Sequence, residues 1–216
     1  MNDVTLPSPT PPVRRPVWQS LLWALLAVGL LLGGVWTYAR LKSPFPFYGT
    51  VYDSETTAPA LTGTREDGRP FALSSLRGQT VAVFFGFLHC PNICPTTLAS
   101  LERVRQALPE GERAKFRTVL VTLDPARDDV RKLREYVQFF SPSARGVFIP
   151  EPQLADTAAN WGVGYQKADV KGLSYQINHT TGVYLIDREG RRRVVWDYTQ
   201  LTKVDRVAAD VREVMR

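Results

Sequence analysis

Both cysteines of the chain fall in one short stretch, GFLHCPNICPTTLASL at residues 86 to 101. They are Cys90 and Cys94, with three residues between them, and each is followed by a proline. Two thiols at this spacing can form a disulfide, work as a redox couple or hold a soft metal. An inert structural disulfide is the least useful of the three. A bridge across so short a loop removes little unfolded-chain entropy, so it is a weak staple. Redox and metal chemistry both need a thiolate, so the question is what positions the sulfurs.

Residues 81 to 88, VAVFFGFL, form a continuous apolar run rich in β-branched and aromatic residues, as in a strand buried on both faces. Proline suits a first helical turn, so a helix can begin at Pro95 and run to residue 108, with Leu98, Leu101, Val104 and Leu108 at helical spacing. A residue before proline is biased towards extended backbone, which predicts that Cys90 and Cys94 both lie on a tight strand-to-helix loop. There, helix-terminal N–H groups favour the charged thiolate. Loops at the C-terminal ends of strands are where open α/β sheets build their sites.

Further strands are predicted at 118 to 123, 182 to 187 and 194 to 198, the last two joined as a hairpin through Arg188, Glu189 and Gly190. Helices are predicted at 127 to 140, 152 to 160 and 201 to 215. The order predicts an α/β fold, a mixed sheet with helices on its faces.

A chain of 216 residues with 44% apolar and 22% charged residues has enough apolar side chain for its own core. The first 16 residues, proline-rich and polar, read as a disordered or extended arm rather than a mitochondrial transit peptide, which points to a bacterial protein. Residues 17 to 39 carry no charge and are long enough to cross a bilayer, with Trp18, Trp23, Trp36 and Tyr38 toward the ends. A cleaved signal peptide is the rival, but Tyr38-Ala39-Arg40 matches its cleavage site poorly. The expected organisation is an arm (1–16), a transmembrane anchor (17–39), a tether (40–50) and a globular domain (51–216) outside the membrane. Arg14 and Arg15 before the span nearly balance Arg40 and Lys42 after it, so the orientation rests on what a single anchor usually does. The net charge of +6 is mild. Its densest cluster, Arg191 to Arg193, reads as a solvated hairpin tip or a contact for anionic lipid or an acidic partner. No nucleic-acid motif accompanies it.

FFGFLHCPNICPTTL, VTLDPARDD (121–129) and INHTTGVYLIDREG (177–190), in that order, resemble the SCO/SenC family of copper-binding, membrane-anchored proteins. The resemblance implies a thioredoxin-like fold and one copper site, Cu(I) or Cu(II), with Cys90, Cys94 and His179 as ligands. It implies a metallochaperone for the dinuclear copper centre in subunit II of cytochrome c oxidase, anchored in a bacterial membrane with its domain on the periplasmic side. Its implied partners are that subunit, a copper donor chaperone and a thiol reductase. Two departures stand out. Asn92 lies where the family often has aspartate, and Asn178 and Thr180 flank the histidine where aspartate and serine are common.

Two thiolates and an imidazole form a soft set that suits copper, and zinc with an added water is a further possibility, with Asp124 as a nearby base. Thiol–disulfide exchange by the redox pair Cys90 and Cys94 is the enzymatic alternative. Thioredoxin-like reductases use two intervening residues and a cis-proline; here there are three, and no proline follows Pro152. His89 should point away from Cys90 by strand alternation, which argues against it as a ligand of the same site. Asp124, Arg127 and Asp128 read as helix capping and surface charge or as support for the copper loop. Trp161, Tyr165 and Trp196 read as core or interface.

Overall fold

The computed structural model describes residues 17–42, 45–53, 56–171 and 174–216. The proline-rich arm and residues 43 and 44 of the tether lie outside them. The chain divides into two compact units, Met1–Phe45 and Pro46–Arg216. In the first, α1 (Val17–Lys42) contains the uncharged span Val17–Ala39, no part of which is buried in protein. At about 1.5 Å per residue its 23 residues extend roughly 34 Å, enough for a hydrocarbon core of about 30 Å. A helix of this length and composition is compatible with a single membrane span.

The second unit is built on β4 (Thr80–Gly86), all seven residues of which are buried. It pairs in parallel with β5 (Phe116–Thr122), which pairs in parallel with β6 (Arg145–Phe148). On its other side β4 pairs antiparallel with β9 (Val183–Ile186), and β9 with β10 (Arg192–Trp196). At the edges β1 (Thr50–Val51) joins β10, and the hairpin β2 (Thr62–Arg65) and β3 (Pro70–Ala72) joins β6. The strand alternation of β4 divides the core. Ala82 and Phe84 face α2 (Ile93–Ala107), α4 (Val130–Phe140) and α6 (Val204–Met215). Val81, Val83 and Phe85 face the other way, onto Leu154 and Ala158 of α5 (Gln153–Asn160) and onto Trp161. This is the mixed, helix-flanked sheet expected from the order of elements.

The departures have local causes. The helix after the cysteines starts at Ile93, not Pro95, so Cys94 is helical and only Cys90 lies in the loop. Pro95 is still in the first turn, where its missing N–H breaks no helical bond. The helix expected from residue 127 starts at Val130, and Asp129 caps it by accepting from Lys132 N at 2.8 Å. Asp124 is thus not the cap, and neither it nor Asp128 is surface charge; both are buried. β2, β3 and β6 are short and polar in part, which conceals them from a hydrophobic pattern. Gly63 lets β2 pass β6 closely, since a Cβ there would lie 2.6 Å from the Phe148 carbonyl oxygen. The short helix α3 (Glu110–Arg113) and the hairpin β7 (Tyr165–Lys171) and β8 (Ser174–His179) were also not expected. The arginine run is consumed internally. Arg191 and Arg193 reach buried Asp187 at 2.8 and 3.3 Å, and Arg192 lies over the Tyr52 ring.

Buried Asp210 on α6 ties down the start of the unit. It accepts from Tyr48 N at 2.9 Å, Gly49 N at 3.0 Å and Trp196 Nε1 at 2.8 Å. Asp210→Ala leaves one buried donor and two half-buried ones without their acceptor and is expected to destabilise the domain by about 3 kcal/mol. A denaturant titration would show this as a lower midpoint with an unchanged slope.

Candidate metal centre

β4 ends at Gly86, and the chain turns through Phe87, Leu88 and His89 to Cys90 before α2 begins. Gly86 is required by a close approach: a Cβ there would lie 2.7 Å from the Cys94 sulfur. The first turn of α2 therefore sits directly on the end of the central strand. Cys94 is buried and Cys90 half-buried, and both thiols are free. Cys90 Sγ accepts from Cys94 N at 3.5 Å.

These contacts separate the two thiols chemically. The Cys94 side chain donates to Cys90, and N–H groups of Cys94, Asn92 and Ile93 add to it, outweighing partial burial. Together they bring the Cys90 thiol down to about 5. Cys94 is pushed upward, first by its bond to Cys90 and then by burial. The pair is thus a thiolate at the cleft and a protonated thiol beneath it.

His179 is the last residue of β8. The β7–β8 hairpin is a separate two-stranded sheet, and its ladder does not join the main one. Side chains dock it instead. Tyr175 OH donates to Asp124 Oδ1 at 2.5 Å, and Arg127, ion-paired to Asp124, donates from Nη1 to the Tyr175 carbonyl at 2.9 Å. The Arg127 guanidinium also lies over the Tyr175 ring, 3.5 Å from its centre. Tyr175 and Ile177 pack with Phe87, whose ring meets His179 edge-on at 5.9 Å.

As a result Cys90 and His179 line one open cleft, together with Asn92, Ile93 and Asn178. His179 Nδ1 lies 2.8 Å from the Thr180 carbonyl oxygen, which can only accept. Nδ1 therefore carries the proton, and Nε2 keeps its lone pair for a ligand. A thiolate and an imidazole nitrogen on the cleft, with the second thiol, Cys94, buried beneath Cys90, are donors of the type that suits a soft metal ion. Both asparagines at the departures from the family pattern line this cleft. Among its described residues Asp169, at the irregular end of the hairpin, is the only carboxylate, and no motif marks it. His89 lines a different groove, with Leu88, Lys132 and Tyr136, and its Nδ1 lies 3.5 Å from Asp128 Oδ1. Asp124 and Arg127 support the hairpin. Trp161 and Trp196 are core residues, and Tyr165 donates to Glu151.

Two measurements check this geometry. Alkylation of the reduced chain by iodoacetamide should occur at Cys90, with a rate that is flat above about pH 6 and half-maximal near 5. Cys94→Ala removes the principal donor and should move that midpoint upward. Tyr175→Phe should unfasten the hairpin by about 1–3 kcal/mol. Amide exchange in β7 and β8 should then accelerate about tenfold or more, with β4 and β5 unchanged.

Residues 51–216 match the SCO1/SenC family profile. The mitochondrial protein SCO2 of Saccharomyces cerevisiae is 32% identical over 191 residues, 83% of this chain and 63% of that protein, so the match spans under two thirds of the relative's length. Apo Sco1 of Thermus thermophilus superposes with a TM-score of 0.70 at 32% identity, over 78% of this chain and 97% of that one. ScoI of Bradyrhizobium japonicum with copper bound gives a TM-score of 0.66 at 26% identity, over 74% and 100%. The helix-flanked sheet is thus the thioredoxin-like fold, and the chain belongs to the SCO1/SenC family.

Proposed function

We propose that this chain is a membrane-anchored copper metallochaperone that helps assemble the dinuclear copper centre in subunit II of cytochrome c oxidase. Residues 17–39 are its single anchor, 40–50 its tether and 51–216 its copper-binding domain, on the periplasmic side of a bacterial membrane. The observation that carries the reading is that Cys90, held as a thiolate, and His179, with Nε2 free, face one cleft from separately positioned parts of the fold. Family membership and the copper-bound Bradyrhizobium relative support copper as the metal.

Copper is the cargo, held by Cys90, Cys94 and His179. Cys90 offers a charged donor without losing a proton. Cys94 must give up its proton to bind, so uptake releases a proton and weakens as the pH falls. Exchange with a partner disulfide would oxidise Cys90 and Cys94 to their own disulfide, while the partner takes two electrons and the one proton of Cys94, its second sulfur leaving as a thiolate or taking a proton from water. Neither sulfur is then a thiolate, so the pair's redox state controls metal retention. A copper donor chaperone and a thiol reductase are the partners this cycle requires.

A second reading, a thiol–disulfide oxidoreductase that keeps the oxidase cysteines reduced, is favoured by the pairing of an exposed-edge thiolate with a buried thiol. One experiment separates the two. The reduced full chain in detergent is titrated with Cu(I) against a competing chelator, beside His179→Ala. The chaperone reading expects one tightly bound copper and at least about tenfold weaker binding in the variant. Weak binding that ignores the substitution, with thiol exchange intact, would leave the oxidoreductase.

A further inference from the structure

A second group of metal-ligating side chains lies on the other side of the cysteine loop. A ring nitrogen of His89 and carboxylate oxygens of Asp124 and Asp128 all fall within 4.8 Å of one another. Thr122 Oγ1 and Leu88 N both donate to Asp128 Oδ2, at 2.5 and 3.2 Å. Its other oxygen, Oδ1, is buried and accepts no hydrogen bond, although the Asp128 side chain is wholly shielded from solvent. That atom points towards His89 Nδ1, 3.5 Å away. A buried carboxylate oxygen with no donor is costly and calls for a partner, a water or an ion among them. The His89 ring is half exposed, so an ion has a path in from solvent.

We propose that His89 and Asp128, with Asp124 beside them, form a second metal site that takes a divalent copper ion. The donor types decide the ion. One imidazole nitrogen with carboxylate oxygens and open water positions suits Cu(II), whereas the thiolate site suits Cu(I). The charge balance also allows it: Asp124 and Asp128 are opposed by the single guanidinium of Arg127, which already pairs with Asp124. Asp124 gives both oxygens to Arg127 and Tyr175, so His89 and Asp128 are the principal ligands. The site uses neither cysteine nor His179, so it stands or falls apart from the chaperone reading.

The chain has two histidines, which makes the test specific. In the full-length Cys90→Ser, Cys94→Ser, His179→Ala chain, His89 is the remaining imidazole. Cu(II) is added to this protein in detergent and followed by electron paramagnetic resonance with spin-echo modulation. The expected result is one bound Cu(II) with an imidazole nitrogen signature. His89→Ala in the same background should erase that signature and weaken binding about tenfold or more. Asp128→Asn, nearly the same shape, should weaken it as well. A folded triple variant without imidazole-coupled copper, or uptake indifferent to His89→Ala, would overturn the site and leave His89 and Asp128 as an ion pair only. Should the triple variant fail to fold, the same titration of His179→Ala with its cysteine pair oxidised reads the same two outcomes.

Discussion

The seating of the first turn of α2 on the end of β4 is the contact on which the rest of the centre depends. Gly86 has no side chain, so the Cys94 sulfur can rest against the strand itself. With Cys94 fixed there, its N–H and its thiol both point at Cys90. A thiolate in a half-apolar loop is otherwise unfavourable, because burial alone raises a thiol's pKa. Here, donors from one helical turn reverse that sign. The chemistry of the exposed sulfur is thus set by the packing of the buried one.

The histidine reaches the same cleft by different physics. β4 and its neighbours are held by a continuous ladder with core on both faces, whereas the β7–β8 hairpin bonds along its length only to itself. Its docking rests on Tyr175 with Asp124 and Arg127, on Tyr165 donating to Glu151, and on a small apolar cluster around Phe87. Ladder and core are lost only with global unfolding, while a few side-chain contacts open at lower cost. The proposed ligand set is therefore divided between a rigid part and a part that can be released separately.

The sequence was most legible where apolar residues are dense. The runs through β4, β5 and β9, and the Leu98, Leu101, Val104 series of α2, carry their own periodicity, and their faces follow from it. It was least legible where backbone geometry or single polar contacts decide. Nothing periodic in TGTR or RGVF marks β2 or β6. Proline at 95 suggested an extended Cys94, yet first-turn proline is compatible with a helix that has already begun. Asp124 resembled a cap because it precedes a helix, and only the fold shows that Asp129 takes that role. The candidate ligands themselves were readable from their motifs. That Asp124, Arg127 and Tyr175 join the histidine's hairpin to the loop after β5 required three dimensions.

The loop after β4 also explains why neighbouring residues 89 and 90 serve different surroundings. Phe87 and Cys90 face the hairpin, while the Leu88 amide and the His89 ring face Asp128. One short turn thus presents a sulfur to a soft, half-apolar cleft and a nitrogen to a pair of carboxylates. The two surroundings are joined through the DPARD segment, because Asp124 fastens the hairpin and Asp128 holds the loop through Leu88. Displacing either carboxylate disturbs both sides of the turn. The position of Cys90 is therefore fixed by two independent anchors, the helix beneath it and the aspartates beside it.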